Sequence, residues 1–317
     1  MKKIIIIAVL LLVLSSSFAQ TIVWKQLASL PEGYGSGEAI SLNNKIYFVA
    51  GRSPKETEHF YVFNPKSDTW KRLADIPNPA TNLAMTAVNG KIYAIGGDKF
   101  QSTNREYNPQ TDTWKILEPM PTARQHIDCG TYGNDIFITG GLTSWKNISQ
   151  KTEVFNTAIN TWTEKASIPS LRNNAAIVSK DSIIYVIGGS GSKDDIWAGI
   201  KSVECYNIKT DSWVQKKDLP FMLFKPGAVV VNNEIIVLGG LSEANGKDIC
   251  SNKVLIYKPD TDNWVETTPL PAKNVFFACT SIGSKIYVIG GTTGGIPKWD
   301  YYSEVYEGKF ITNNSTE

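Results

Sequence analysis

Three tryptophans, Trp145, Trp197 and Trp299, stand outside any regular spacing in this chain. An indole joins a large apolar face to a polar N–H, the combination that holds a sugar ring or anchors a protein partner. Charged and polar residues gather just behind six prolines. Three residues after each proline stand Tyr34, Ala80, Arg124, Arg172, Leu223 and Asn274, and beside them lie Glu38, Gln125, His126, Asp128, Asn173, Asn174, Lys225 and Lys273. Guanidinium groups bind anions, while carboxyl and imidazole groups move protons. His59 and His126 are the only histidines, so the chain has no spaced ligand set of the kind zinc or copper needs, and neither metal nor cofactor is expected. No nucleophile elbow, phosphate loop or Ser/His/Asp arrangement stands out.

The elements that must position these residues are written in a repeat. Trp24, Trp70, Trp114, Trp162, Trp213 and Trp264 are each followed seven residues later by proline: Pro31, Pro77, Pro121, Pro169, Pro220 and Pro271. Fourteen residues beyond each proline begins an apolar run, at Lys45, Lys91, Asp135, Ile183, Glu234 and Lys285, which ends in glycine. All variation in period falls between those glycines and the next tryptophan, so each unit is rigid scaffold plus one variable loop. Four strands read out per unit. The first and second are joined by turns such as Asn43-Asn44, Asn89-Gly90 and Gly283-Ser284, which tolerate positive φ. The second, an Ile/Val/Tyr run, suits burial on both faces. The third ends in turns such as NPKSDTW from Asn64, where the Asp or Asn two residues before the tryptophan suits a local side-chain hydrogen bond. The fourth starts at the tryptophan, a packing residue between units.

Glycine doublet and tryptophan in four-stranded units of this length resemble the kelch repeat of β-propellers, over residues 22–308. The resemblance implies an all-β, six-bladed propeller. The chain opens on a lone fourth strand around Trp24 and ends on three strands, so the N-terminal strand is expected to close the last blade.

Met1–Ala19 reads as a secretory leader, with Lys2 and Lys3, an apolar core over Ile4–Leu14 and a Ser17-Phe18-Ala19 cleavage site. The expected organisation is therefore leader 1–19, propeller 20–308 and polar tail 309–317, in a periplasmic or secreted protein without a membrane span. Lys and Arg number 32 against 30 Asp and Glu, and two of the lysines lie in the leader. This neutral balance argues against nucleic acid or an anionic membrane as partner. Cys129 and Cys279 occupy the same slot in opposite blades, too far apart to bridge; a Cys205–Cys250 bridge stays open.

Antiparallel four-stranded blades put every variable loop on the same face as every segment behind a repeat proline. That face is the expected working surface. The chain is expected to be a non-catalytic binding module for a glycan or an extracellular protein, through Arg124, Arg172, Asn274, Trp145, Trp197 and Trp299. Kelch propellers that bind acidic peptides place arginines where Arg124 and Arg172 stand; the alternative ties both to backbone carbonyls, as each tryptophan's alternative is a private core on the rim. Resemblance to the sialic acid mutarotase (N-acetylneuraminate epimerase) group implies a second function. There Arg124 or Arg172 would hold the substrate carboxylate, with Glu38, Asp128 or His126 as acid and base. Galactose oxidase shares the repeat, but its copper site needs histidines this chain lacks.

Overall fold

The computed structural model describes residues 20–49, 51–53, 58–244, 247–293 and 300–311. The expected leader, Trp299 and the tail from residue 312 lie outside these. Among the described residues, six four-stranded antiparallel sheets form the blades of a propeller. The innermost strands are Glu38–Leu42, Ala84–Val88, Cys129–Tyr132, Ala176–Lys180, Gly227–Val231 and Ala278–Ile282, and each packs on the next around a ring that closes from the sixth to the first. The second strands are buried along nearly their whole length, as their continuous apolar character requires.

Closure comes from the first strand. Thr21–Leu27 pairs along Val305–Ile311, with Thr21 opposite Ile311 and Leu27 opposite Val305. The last strand therefore runs past Gly308 to Ile311, which corrects the expected start of the tail at 309. Ile22 and Val305 are buried at this seam.

Five of the six repeat tryptophans staple adjacent blades in a way their burial alone would not show, whereas the indole N–H of Trp24 has no partner among the described residues. Trp70 donates its indole N–H to Ala28 O at 2.9 Å, and Trp114, Trp162, Trp213 and Trp264 do the same to Ala74, Glu118, Ala166 and Lys217. Each acceptor lies four residues beyond the previous blade's tryptophan. The Asp or Asn two residues before each tryptophan grips the same residue from the other side. Ala28 N donates to Asp68 Oδ1, Ala74 N to Asp112, Glu118 N to Asn160, Ala166 N to Asp211 and Lys217 N to Asp262. Asp112, Asp211 and Asp262 also accept locally, from Tyr107, Tyr206 and Tyr257 five residues earlier, so these side chains bond both within and between blades. Positive φ at Asp68, Asp112, Asn160, Asp211 and Asp262 turns their side chains outward to make the bond between blades. The local turn bonds belong to the asparagines that open the turn, as where Lys66 N donates to Asn64 Oδ1.

Two loops carry ribbons of their own: Leu142–Ser144 with Asn147–Ile148, and Leu241–Ala244 with Lys247–Cys250. Antiparallel bridges Gly35–Arg52, Gln125–Leu142, Asn173–Ser190, Phe224–Leu241 and Val275–Thr292 join the segment behind five of the six prolines to the segment behind the glycines, and in the second blade Asp98 N donates to Thr81 O. Both sets of segments therefore share one face.

A cavity at the mouth of the propeller channel

The position three residues after each proline is structural. Arg124 is fully buried; it donates to Gly140 O at 2.9 Å, to Lys151 O at 3.0 Å and to Glu153 at 2.5 Å. Arg172 repeats the arrangement with Gly188 O, Ser202 and Glu204. Desolvation lowers both guanidinium pKa values while the paired carboxylates raise them. Asn274 donates to Gly290 O and accepts from Thr292 N. The hydrogen bonds these three side chains make run to the scaffold, with Arg172 Nε left without a partner among the described residues, which favours the structural alternative over ligand contact. In the third and fourth blades the second half of the lock is the second residue of the third strand, Glu153 or Glu204. In the first blade Tyr34 meets Tyr61 and His59 there. In the second blade the polarity is reversed: Ala80 vacates the slot, and Arg105 fills it from the strand, donating to Pro77 O and Asn78 O.

The second glycine behind five of the apolar runs sends its N–H to this slot in the next blade, as in Gly141 N to Arg172 O at 2.9 Å. Its neighbour Gly140 has φ +71°, and a Cβ there would stand 2.5 Å from Arg172 O. Glycine is required by both conformation and space.

Two residues further along, every blade puts a non-glycine residue in the left-handed region: Ser36, Asn82, His126, Asn174, Lys225 and Phe276, with φ between 47° and 58°. Such residues are uncommon, and six in equivalent positions mark a conserved local geometry of the ring. Their backbones link blade to blade. Asn82 N donates to Ser36 O, His126 N to Asn82 O, Asn174 N to His126 O, Lys225 N to Asn174 O and Ser36 N to Phe276 O. This collar rims the channel mouth.

Outside the collar lies a cavity of about 300 Å³, lined by Ser36, Arg52, Asn82, His126, Trp145, Trp197, Phe276 and Tyr301 among others. Trp145, at the tip of its ribbon, and Trp197 remain 57% and 45% exposed. Their ring centroids stand 6.2 and 5.9 Å from that of His126, which is itself buried. Trp145 is backed by Phe100, and Trp197 by Phe224. The ring of Tyr301 lies on Gly35, where any Cβ would meet it at 2.9 Å. Arg52 is half exposed and sits 3.6 Å from Asp98.

Inside the collar the channel forms a second cavity of about 250 Å³, lined in part by Glu38, Thr86, Asp128, Cys129, Lys225 and Cys279. Lys225 reaches across it to Glu38 at 3.0 Å. Desolvation pushes the Glu38 carboxyl up to about 7 against the pull of Lys225, and raises Asp128 as well. Burial acts to lower Lys225, but the two carboxylates beside it hold it above its ordinary value. The ammonium contacts Glu38 and interacts electrostatically with Asp128. All four cysteines are free thiols, so Cys205 and Cys250 are not bridged.

The proton-transfer candidates thus fall in different places: Glu38 and Asp128 in the channel, His126 in the outer cavity. Of the expected aromatic contacts, Trp145 and Trp197 come together, and Trp299 is outside the described residues. Sequence reasoning missed Arg52, Asn82, Phe276 and the collar. The signal was present for the collar, since its members stand five residues after each proline, but Ser, Lys and Phe carry no mark of left-handed geometry. Among the described residues no group of three or more His, Cys, Asp and Glu side chains is arranged to hold a metal.

The family description "KLHDC2/KLHL20/DRC7 Kelch-repeats domain" matches residues 37–240, and that of the Kelch motif matches 225–271. Beta-scruin of Limulus polyphemus is 31% identical over 169 residues, half of this chain and 18% of that protein. Kelch repeat and BTB domain-containing protein 12 of Homo sapiens is 29% identical over 168 residues, half of this chain and 27% of that protein. The chain thus matches well under half the length of either relative. The solved structure of YjhT superimposes with a TM-score of 0.76 at 16% identity, covering 92% of this chain and 98% of that one, a likeness of fold.

Proposed function

The chain belongs to the kelch-repeat family, and on that premise we propose that it is an exported, non-catalytic binding module whose ligand, a glycan or an extracellular protein, sits in the cavity outside the collar. One observation carries this reading. Two tryptophans stay about half exposed while flanking a buried histidine over a cavity of about 300 Å³. Burying indoles against each other alone would leave them less exposed; a rigid aromatic wall beside a few polar groups is how small binding sites are built. Export is supported by the leader-like sequence of Met1–Ala19.

Trp145→Ala and Trp197→Ala test the site. Each leaves the melting temperature nearly unchanged and weakens a ligand found on glycan or protein arrays by on the order of 2 kcal/mol, as central aromatic anchors do. A large fall in melting temperature for both would make them private core and remove the site. Intact-mass measurement of the exported protein, beginning at Gln20, tests the compartment.

A sialic acid mutarotase is the second reading, favoured by the Glu38 carboxyl, whose pKa near 7 suits an acid–base group. Against it, Glu38 is tied to Lys225, and His126 lies in the other cavity. Acceleration of sialic acid anomer exchange, followed by NMR and lost in Glu38→Gln, would establish it.

A further inference from the structure

The hydrogen-bond polarity of the outer cavity specifies its ligand further, granted that the cavity is the binding site. Asn173 Nδ2 faces two backbone carbonyls, Ser190 O at 3.0 Å and Ile196 O at 2.9 Å. Carbonyls only accept, so the orientation of this amide is settled. Its Oδ1 accepts from Asn174 Nδ2, which leaves Asn174 Oδ1 facing His126 Nδ1 at 2.9 Å. His126 Nδ1 must therefore carry the proton, and Nε2 presents a lone pair. Burial, which pushes the His126 pKa down to about 4, keeps the ring neutral.

His126 Nε2 is buried and has no hydrogen-bond partner among the described residues. The same holds for Asn82 Oδ1, whose amide is oriented by donation from Nδ2 to Asp98 Oδ1 at 2.9 Å. Both residues are more than nine-tenths buried and both line the cavity. Leaving such acceptors unmet is costly, so the occupant supplies O–H or N–H groups. A bare inorganic anion is disfavoured because it brings only acceptors, and the Arg52 charge that would draw a hydroxylated carboxylate is already met by Asp98 at 3.6 Å. A cation is disfavoured because Arg52 lines the same cavity. Trp145 and Trp197 call for an apolar face on the same small molecule. A cavity of about 300 Å³ has room for a monosaccharide ring.

We propose that the cavity binds one uncharged sugar ring, with hydroxyls donating to His126 Nε2 and Asn82 Oδ1 and its C–H face against the tryptophans. Saturation-transfer NMR and calorimetry with the methyl glycosides of glucose, galactose, mannose and N-acetylglucosamine test this, with glucuronate, sialic acid and glucosamine as charged counterparts. At least one neutral glycoside binds saturably and at least tenfold more tightly than its charged counterparts. Trp145→Phe and His126→Asn, the latter keeping a side chain that tolerates positive φ, each weaken it about tenfold or more with an unchanged melt. Binding by the charged sugars alone, or only by peptides in a Trp145-dependent manner, overturns the neutral sugar while leaving the site standing. Sugar binding indifferent to Trp145 and His126 overturns the site itself. No saturable binding of any neutral glycoside overturns the proposal.

Discussion

Arg124 and Glu153 meet 2.5 Å apart with side chains 0% and 2% exposed, joining the segment behind a repeat proline to the third strand of its own blade. Charges this deeply buried hold position only because each is fully answered: the guanidinium also satisfies the carbonyls of Gly140 and Lys151, and Glu153 also accepts from Thr122. The pair recurs as Arg172 with Glu204. Elsewhere the same two positions hold tyrosines, Leu223 with Leu255, or a lone arginine, and in the sixth blade Asn274 bonds Gly290 and Thr292 backbone instead, so the chemistry of these positions varies around the ring.

Removing one half of the pair strands the other. Arg124→Met is expected to cost about 3–5 kcal/mol in urea unfolding, whereas Arg124→Met with Glu153→Leu recovers much of that loss. Equal losses in the single and double variants would mean that the carbonyl contacts, and not the ion pair, carry the lock.

Ring closure rests on the first strand. Deleting residues 20–27 is expected to lower the melting temperature steeply, ending the chain after Gly308 to lower it less, and ending it after Ile311 to leave it unchanged. This order follows from the pairing of Thr21–Leu27 along Val305–Ile311; calorimetric melts of the three truncations check it.

Lys225 stabilises two channel carboxylates, so its loss is felt according to pH. In Lys225→Met, Glu38 and Asp128 stay protonated in the folded protein above their ordinary range, while the unfolded chain releases those protons. The folded state then binds more protons, and stability falls as pH rises through and beyond the Glu38 range of 4.5 to about 7. The deficit against wild type is expected to approach about 3–5 kcal/mol near neutral pH and to shrink in acid. Urea titrations across that range read it directly; a pH-independent deficit would show that Lys225 acts by packing.

Cys129, Cys205, Cys250 and Cys279 are free, and desolvation raises every one of the four thiols above its ordinary pKa. Alkylation of the native protein is expected to be slow at all four, becoming complete in denaturant, with no linked peptide in a non-reduced digest. A Cys205–Cys250 peptide would contradict the fold.

The propeller was legible in the chain because its determinants are local and repeat six times. The tryptophan, the proline seven residues on and the apolar run fourteen beyond that specify strand, turn and strand wherever they occur, and the lone strand around Trp24 announces closure. The shared face of the variable loops followed from strand alternation alone, and the bridges between these segments bear it out. Trp145 and Trp197 stood out because they break the spacing. What one sequence could not decide was where a charged or polar side chain spends its bonding capacity. Arg124 and Arg172 read as ligand contacts, with ties to backbone carbonyls the alternative, until Glu153 and Glu204, some thirty residues on, were seen in contact with them. The acids before the tryptophans looked like turn residues until their partners appeared one blade away. The proton on His126 depends on a relay of two asparagines and two carbonyls from the next blade. These assignments rest on pairings across blades, and pairings between distant residues exist only once the ring has closed.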